Sequence, residues 1–129
     1  ILNFKNIRIA EKRLLDLLKQ NKIQFICLAG FMKILSSKFI KQFNGKIINI
    51  HPSLLPRYKG LNTHSRAIQN KDKFTGCSVH YVTEKLDSGK IIIQKKIKIL
   101  KKDTPKSLAK KVLKQEHKLY PKAILKIFN

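Results

Sequence analysis

The chain has 129 residues, enough for one domain, and 43% of them are apolar, enough to fill a core. Its formal charge is +22, yet only Arg8, Arg13, Arg57 and Arg66 are arginines and the lysines run from Lys5 to Lys126, which points to a solvated basic surface that attracts small anions rather than to a specific nucleic-acid interface. No run of about 18 apolar residues is present to span a membrane and no charged-then-apolar leader opens the chain, so a cytoplasmic protein without membrane contact is expected.

The first predicted element is a helix over residues 8–20, RIAEKRLLDLLKQ, with Ile9, Leu14, Leu17 and Leu18 near one face. KIQFICLAGF follows as a short apolar run ending at Gly30, the pattern of a strand buried on both faces. SSKFIKQF opens on a good N-cap and reads as a short helix. GKIINIHP is a second buried strand, stopped by Pro52. THSRAIQN is a further short helix with Thr63 as its cap. GCSVHYVT and KIIIQKKIKI then alternate with a period near two, and EKLDSG joins them as a turn. The last element is a long amphipathic helix from Thr104 and Pro105, which Pro121 should break or kink. Cys27 and Cys77 lie in apolar runs without metal or redox spacing, so each is expected to be a buried free thiol.

Strands alternating with helices predict an α/β fold, a largely parallel sheet flanked by helices, with an antiparallel strand pair and a long helix in the carboxyl-terminal part. In such sheets ligands gather at the carboxyl ends of the strands. That rule selects Gly30–Leu35 and Asn49–Gly60.

Asn49 and His51 stand two apart on a strand, so they face the same side, with Ile50 turned away. An amide donor and an imidazole at a strand end could stabilise an oxyanion and move a proton. The alternative is a polar strand end bonded to neighbouring loops. Asp87 sits in Asp-Ser-Gly, which is ordinary turn chemistry, or else a carboxylate set beside His51. Glu116 falls with Val112 and Tyr120 on the inner stripe of the last helix, where a carboxylate needs a partner: a ligand amine or hydroxyl, or one of the lysines. His80 alternates within a strand and could be a hydrogen-bonded core histidine, while His64 could orient the loop before it. No histidine has metal-ligand spacing, so no metal is expected.

CLAGFMKIL, INIHPSLLPRYKGLNTHSRAI, GCSVHYVTEKLDSGKIIIQ and QEHKLYP, in that order, resemble the phosphoribosylglycinamide formyltransferases over nearly the whole chain. The resemblance implies a three-layer formyltransferase fold with a Rossmann-like twisted sheet. It also implies formyl transfer from 10-formyltetrahydrofolate to the amine of glycinamide ribonucleotide, in purine synthesis. On it, Asn49, His51 and Asp87 match the catalytic trio, with His51 kept protonated by Asp87. Met32, Lys33, Ile34 and Leu35 match the folate-binding segment, and Tyr81, Val82 and Asp87 the loop lining the pterin pocket, with Asn49 also at the folate. Glu116 matches the acidic residue set against the ribonucleotide, and the Leu55–Pro56 bond is implied to be cis.

The family usually has Arg where this chain has Lys33, and Arg8 is one residue out of register with an upstream folate-contacting arginine. The family's glycine- and serine-rich phosphate loop has no counterpart here. Residues 1–129 are therefore expected to form a formyltransferase domain without its amino-terminal phosphate-binding portion, and to turn over poorly in isolation. Oligomeric state is not legible. Three rivals stand beside this reading. A formyltetrahydrofolate deformylase would share the trio and use water as acceptor. A methionyl-tRNA formyltransferase shares HPSLLPR but usually continues with an apolar stretch where this chain has GLNTHSRAI. A basic RNA-binding module would have no need of all three trio residues.

Overall fold

A computed structural model describes residues 6–31 and 33–129. In chain order the elements are α1 (Ile7–Gln20), β1 (Phe25–Leu28), α2 (Ser37–Gln42), β2 (Lys46–His51), α3 (Thr63–Gln69), β3 (Phe74–Tyr81), β4 (Ile91–Lys98) and α4 (Pro105–Phe128). The strands form one sheet in the order β1-β2-β3-β4. The predicted α/β class and the late antiparallel pair are present. The sheet is mixed, however: β1 and β2 are parallel, whereas β2–β3 and β3–β4 are antiparallel.

Period-two alternation along β2 sorts its side chains between two cores. Ile48 and Ile50 join Cys77, Val79, Leu108, Val112, Leu119 and Ala123 beneath α4. Ile47 points the other way, to Leu35, Phe39 and Phe43, with Leu14, Leu15 and Leu18 of α1 packed against them. Helices thus cover both faces of the sheet, giving three layers. The inner stripe of α1 differs from the predicted one. Ala10 and Glu11 are buried, while Ile9 and Leu17 are exposed. Glu11 is tolerated inside because its carboxylate accepts from the backbone N–H and the hydroxyl of Ser36, the latter at 2.6 Å.

Ser36 caps α2 by accepting from Phe39 N, as its sequence predicts. α3 departs from expectation. Its cap is Asn62, in the left-handed region at φ 57°, and Thr63 is the first helical residue. α4 runs through Pro121 without a break, so the expected interruption does not occur. The helical hydrogen bond that Pro121 cannot donate would have gone to the carbonyl of His117, an exposed residue. Cys77 is buried, which pushes its thiol up to about 12, but Cys27 is exposed on β1. A buried-run reading overestimates coverage there because β1 is an edge among the described strands. Tyr120 reaches from α4 across the sheet, its hydroxyl donating to Leu28 O at 2.6 Å and lying 3.3 Å from Ile48 O.

The start of α4 is held by a reciprocal Thr104–Ser107 capping box and by Asp103, which accepts from Lys111 Nζ at 2.6 Å and from Leu100 N at 2.8 Å. The Lys111 hydrogen bond leads in lowering the Asp103 carboxyl from its ordinary 3.8 to about 2. A depressed carboxylate stabilises the fold above its unfolded pKa and loses that contribution as pH falls towards the folded value. Asp103→Asn is therefore expected to lower Tm by a few degrees at pH 7. Thermal melts should show the gap closing between about pH 4 and about pH 2.

Candidate active site

Asn49 and His51 project from the carboxyl end of β2 to the side away from α4, and Asp87 reaches them from the loop between β3 and β4. The His51 and Asp87 side chains are each only 8% exposed. His51 Nε2–H donates to Tyr58 O at 2.9 Å, which assigns that nitrogen's proton because a carbonyl only accepts. Its Nδ1 faces Asp87 Oδ2 at 3.6 Å, an ion-pair distance beyond hydrogen-bond range. The nitrogen beside the carboxylate is thus the one left free to serve a reacting atom.

Local sequence explains how these groups meet. Tyr58 takes φ 53°, in the bend that brings its carbonyl to His51. Behind it Ser53 Oγ donates to Arg57 O at 2.6 Å, and the Leu55–Pro56 bond is cis, as the resemblance implies. Gly60 follows at φ +85°, a left-handed conformation that favours glycine, and its N–H donates to Asp87 Oδ2 at 2.8 Å. The loop bearing Asp87 is pinned at Gly89, where a Cβ would stand 1.7 Å from Tyr81 O. His64, a candidate for orienting the loop before it, makes no side-chain hydrogen bond to that loop among the described residues. Arg66 orients the loop instead, donating to Lys59 O and Leu61 O. His64 is half-buried with its Nδ1 unbonded among the described residues, and burial lowers its pKa.

A cleft with about 540 Å³ of empty space, partly open to solvent, adjoins the trio. Lys33, Ile34, Leu35, Val82, Asn49 and Asp87, which the resemblance assigns to the folate, all line it. Met32 lies outside the described residues. The remaining expected site residues are elsewhere. Tyr81 packs its ring with the α4-side core and is covered by Lys46 Nζ at 5.6 Å, leaving only its backbone near the site. Arg8 is exposed on the first turn of α1. Glu116 is half-buried on α4, within electrostatic range of Cys77, and does not line the cleft. Burial raises its carboxyl pKa, His117 opposing, and no hydrogen bond or ion pair among the described residues engages it.

Sequence reasoning offered His80 as a hydrogen-bonded core histidine and did not place it beside the cleft. His80 pairs with Asn49 across β2–β3 and lines the same cleft, 3% exposed. Its Nε2 lies 3.5 Å from Asn49 Nδ2 and 3.8 Å from Asp87 Oδ1, so Asp87 stands between two imidazoles. The available signal was the alternation that turns His80 and Asn49 to one face, but it required knowing the register. Among the described residues no group of three or more His, Cys, Asp or Glu is placed to hold a metal. A second concavity, between α1 and the α2–β2 turn, lacks convergent acid–base groups; Asp16 is its only titrating residue besides lysines.

Comparison with known proteins matches residues 2–124 to the formyl transferase family. The Haemophilus influenzae phosphoribosylglycinamide formyltransferase is 43% identical over 122 residues, which are 95% of this chain and 58% of that protein. The human trifunctional purine biosynthetic protein adenosine-3 is 46% identical over 107 residues, covering 83% of this chain and 11% of that protein. Among solved structures, the phosphoribosylglycinamide formyltransferase of Coxiella burnetii superposes with TM-score 0.88 at 40% identity, over 99% of this chain and 61% of that one. That of Brucella melitensis gives 0.85 at 47% identity, over 95% and 62%. This chain therefore spans little more than half the length of the single-function relatives it matches.

Proposed function

This chain belongs to the formyl transferase family, and on that premise we propose that it is part of a phosphoribosylglycinamide formyltransferase. The reaction is transfer of a formyl group from 10-formyltetrahydrofolate to the amine of glycinamide ribonucleotide, in purine synthesis in the cytoplasm. The observation carrying this reading is the convergence of Asn49, His51 and Asp87 beside the cleft that Lys33–Leu35 line.

In the proposed mechanism the pterin and its formyl group enter between residues 33–35 and the Val82–Asp87 loop. The substrate amine attacks the formyl carbon, and charge develops on the formyl oxygen. Asn49 Nδ2–H donates to that oxygen, and the His51 ring, with Asp87 beside its Nδ1, stabilises the same charge. Such preorganised donors cost no reorganisation at the moment of reaction, and each contributes on the order of 2.7–4 kcal/mol. Collapse breaks the bond from carbon to the folate nitrogen. His51 Nδ1 delivers the proton that nitrogen takes up, and a water held by Asp87 removes the proton lost by the amine. Recognition of the ribonucleotide phosphate is left to the glycine- and serine-rich loop that the resemblance implies for the family.

The test follows tetrahydrofolate release from 10-formyltetrahydrofolate in the full-length protein, with and without glycinamide ribonucleotide. Release that requires the ribonucleotide is expected. Release into water alone would make the protein a deformylase, and no release would reduce the fold to a binding role.

Glu116 is proposed to hold the ribonucleotide, which gives its unpartnered, half-buried carboxylate a purpose. A carboxyl whose pKa is raised by folding destabilises the protein above that pKa and is neutral in effect below its unfolded value of about 4.5. Glu116→Gln is therefore expected to raise Tm at pH 7–8 but not at pH 4, and to raise KM for the ribonucleotide about tenfold through loss of a charged hydrogen bond. Melting curves at the two pH values and steady-state kinetics check both halves.

A further inference from the structure

We propose that His80 is a positioning residue: with its proton on Nδ1, it accepts from Asn49 through Nε2 and thereby fixes which end of the Asn49 amide faces the cleft. The inference rests on the reading of Asn49 as the oxyanion donor.

A carboxamide presents an acceptor at one end and two donors at the other, in nearly the same shape. With its N–H towards the formyl oxygen Asn49 would stabilise developing charge, and with its oxygen there it would repel it. Something must choose, and His80 is placed to do so. It sits directly opposite Asn49 in the β2–β3 ladder, next to the Val79/His80 register shift that re-aims the strand against β4. Its Nδ1 lies 3.0 Å from Tyr81 O, which can only accept, so Nδ1 carries the proton. In the neutral ring Nε2 then holds a lone pair, and the donor facing it is Asn49 Nδ2 at 3.5 Å. Asp87 Oδ1, 3.8 Å from the same nitrogen, is another acceptor and cannot take its place.

The surroundings keep the ring neutral. Burial dominates and lowers the His80 pKa, aided by the nearby His51 charge, whereas the Tyr81 carbonyl and Asp87 oppose it. From β4 the ladder partner is Ile91, which brings no charge. Protonation at low pH would convert Nε2 to a donor. It would then attract Asp87 Oδ1 and repel the Asn49 NH₂, turning the amide the wrong way round. Asn49 would lose its role while the pocket stayed intact.

The experiment is a long-range ¹H–¹⁵N correlation on the full-length protein labelled with ¹⁵N-histidine, at pH 7.5, beside kinetics of His80→Leu and His80→Gln. The His80 signals, assigned by their loss in either variant, are expected to show a protonated Nδ1 and a bare Nε2. His80→Leu should lower kcat by about 100-fold, the scale of one oxyanion donor, with KM for the folate within about threefold. His80→Gln, which offers an acceptor to Asn49, should recover most of that loss. A proton on Nε2 at pH 7.5 would overturn the proposal, as would equal losses in the two variants or a His80→Leu protein with unchanged kcat. The expected tautomer in a protein that transfers no formyl group would instead support the hydrogen-bond arrangement and sink the functional reading.

Discussion

His51→Ala is expected to lower kcat for formyl transfer by about 10²–10⁴-fold, the range of a positioned general acid or base. At 1.36 kcal/mol per decade this is about 3–5 kcal/mol of transition-state stabilisation. The loss should fall on kcat, because the roles assigned to His51 act on charge and protons that move only in the transition state, and KM for 10-formyltetrahydrofolate should change less than about threefold. The substitution also strands two acceptors, Tyr58 O and one face of Asp87, but Asp87 keeps the Gly60 N–H. Folding should survive, and a circular dichroism melt run beside the kinetics separates a lost catalyst from a lost fold. Retention of more than a tenth of kcat would mean that His51 is a structural link to Tyr58 and nothing more.

Phe39→Ala is expected to be the most damaging single truncation on the α1/α2 side of the sheet. Phe39 is 1% exposed, its ring stacks on Phe43 at 6.4 Å, and it packs with Leu35 and Ile47. Removing a buried phenyl ring costs about 3–5 kcal/mol in lost transfer energy and residual cavity. Against a total stability of about 5–15 kcal/mol, that is enough to lower Tm by about 10 °C or more. Leu35 shares this cluster and also lines the cleft, so the folate-binding side should loosen with it. Urea unfolding measures the stability and folate titration the coupling. A cost below about 1 kcal/mol would show that Leu35 and Phe43 collapse into the space.

Much of the fold was readable because its signals are local. Ser36, Thr104 and Pro105 declare helix starts through their own chemistry, and the alternation of β2 places Asn49 and His51 on one side without knowledge of their neighbours. What stayed hidden depends on partners distant in the chain. Cys27 reads as buried in sequence because its run is apolar, yet exposure is decided by what lies beside β1. The direction of β3 beside β2 was not legible, since no residue pattern in β2 distinguishes a parallel from an antiparallel neighbour. Asp87 could be either turn or carboxylate on sequence alone, and only its distance from His51 and Gly60 N ties it to the site. His80 read only as a hydrogen-bonded core histidine for the same reason, since its ladder partner lies 31 residues away.

The Tyr120 hydroxyl links the last residue of β1, Leu28, with Ile48 in the middle of β2, from 92 and 72 residues further along the chain. Chains leave the ribosome amino end first, and β1, β2 and their loops emerge long before α4 is made. Through most of synthesis the two strands consequently have their own ladder but not this link to α4. The α4 layer is added to the sheet last, so a nascent chain stalled before Tyr120 would hold β1 and β2 by their ladder alone.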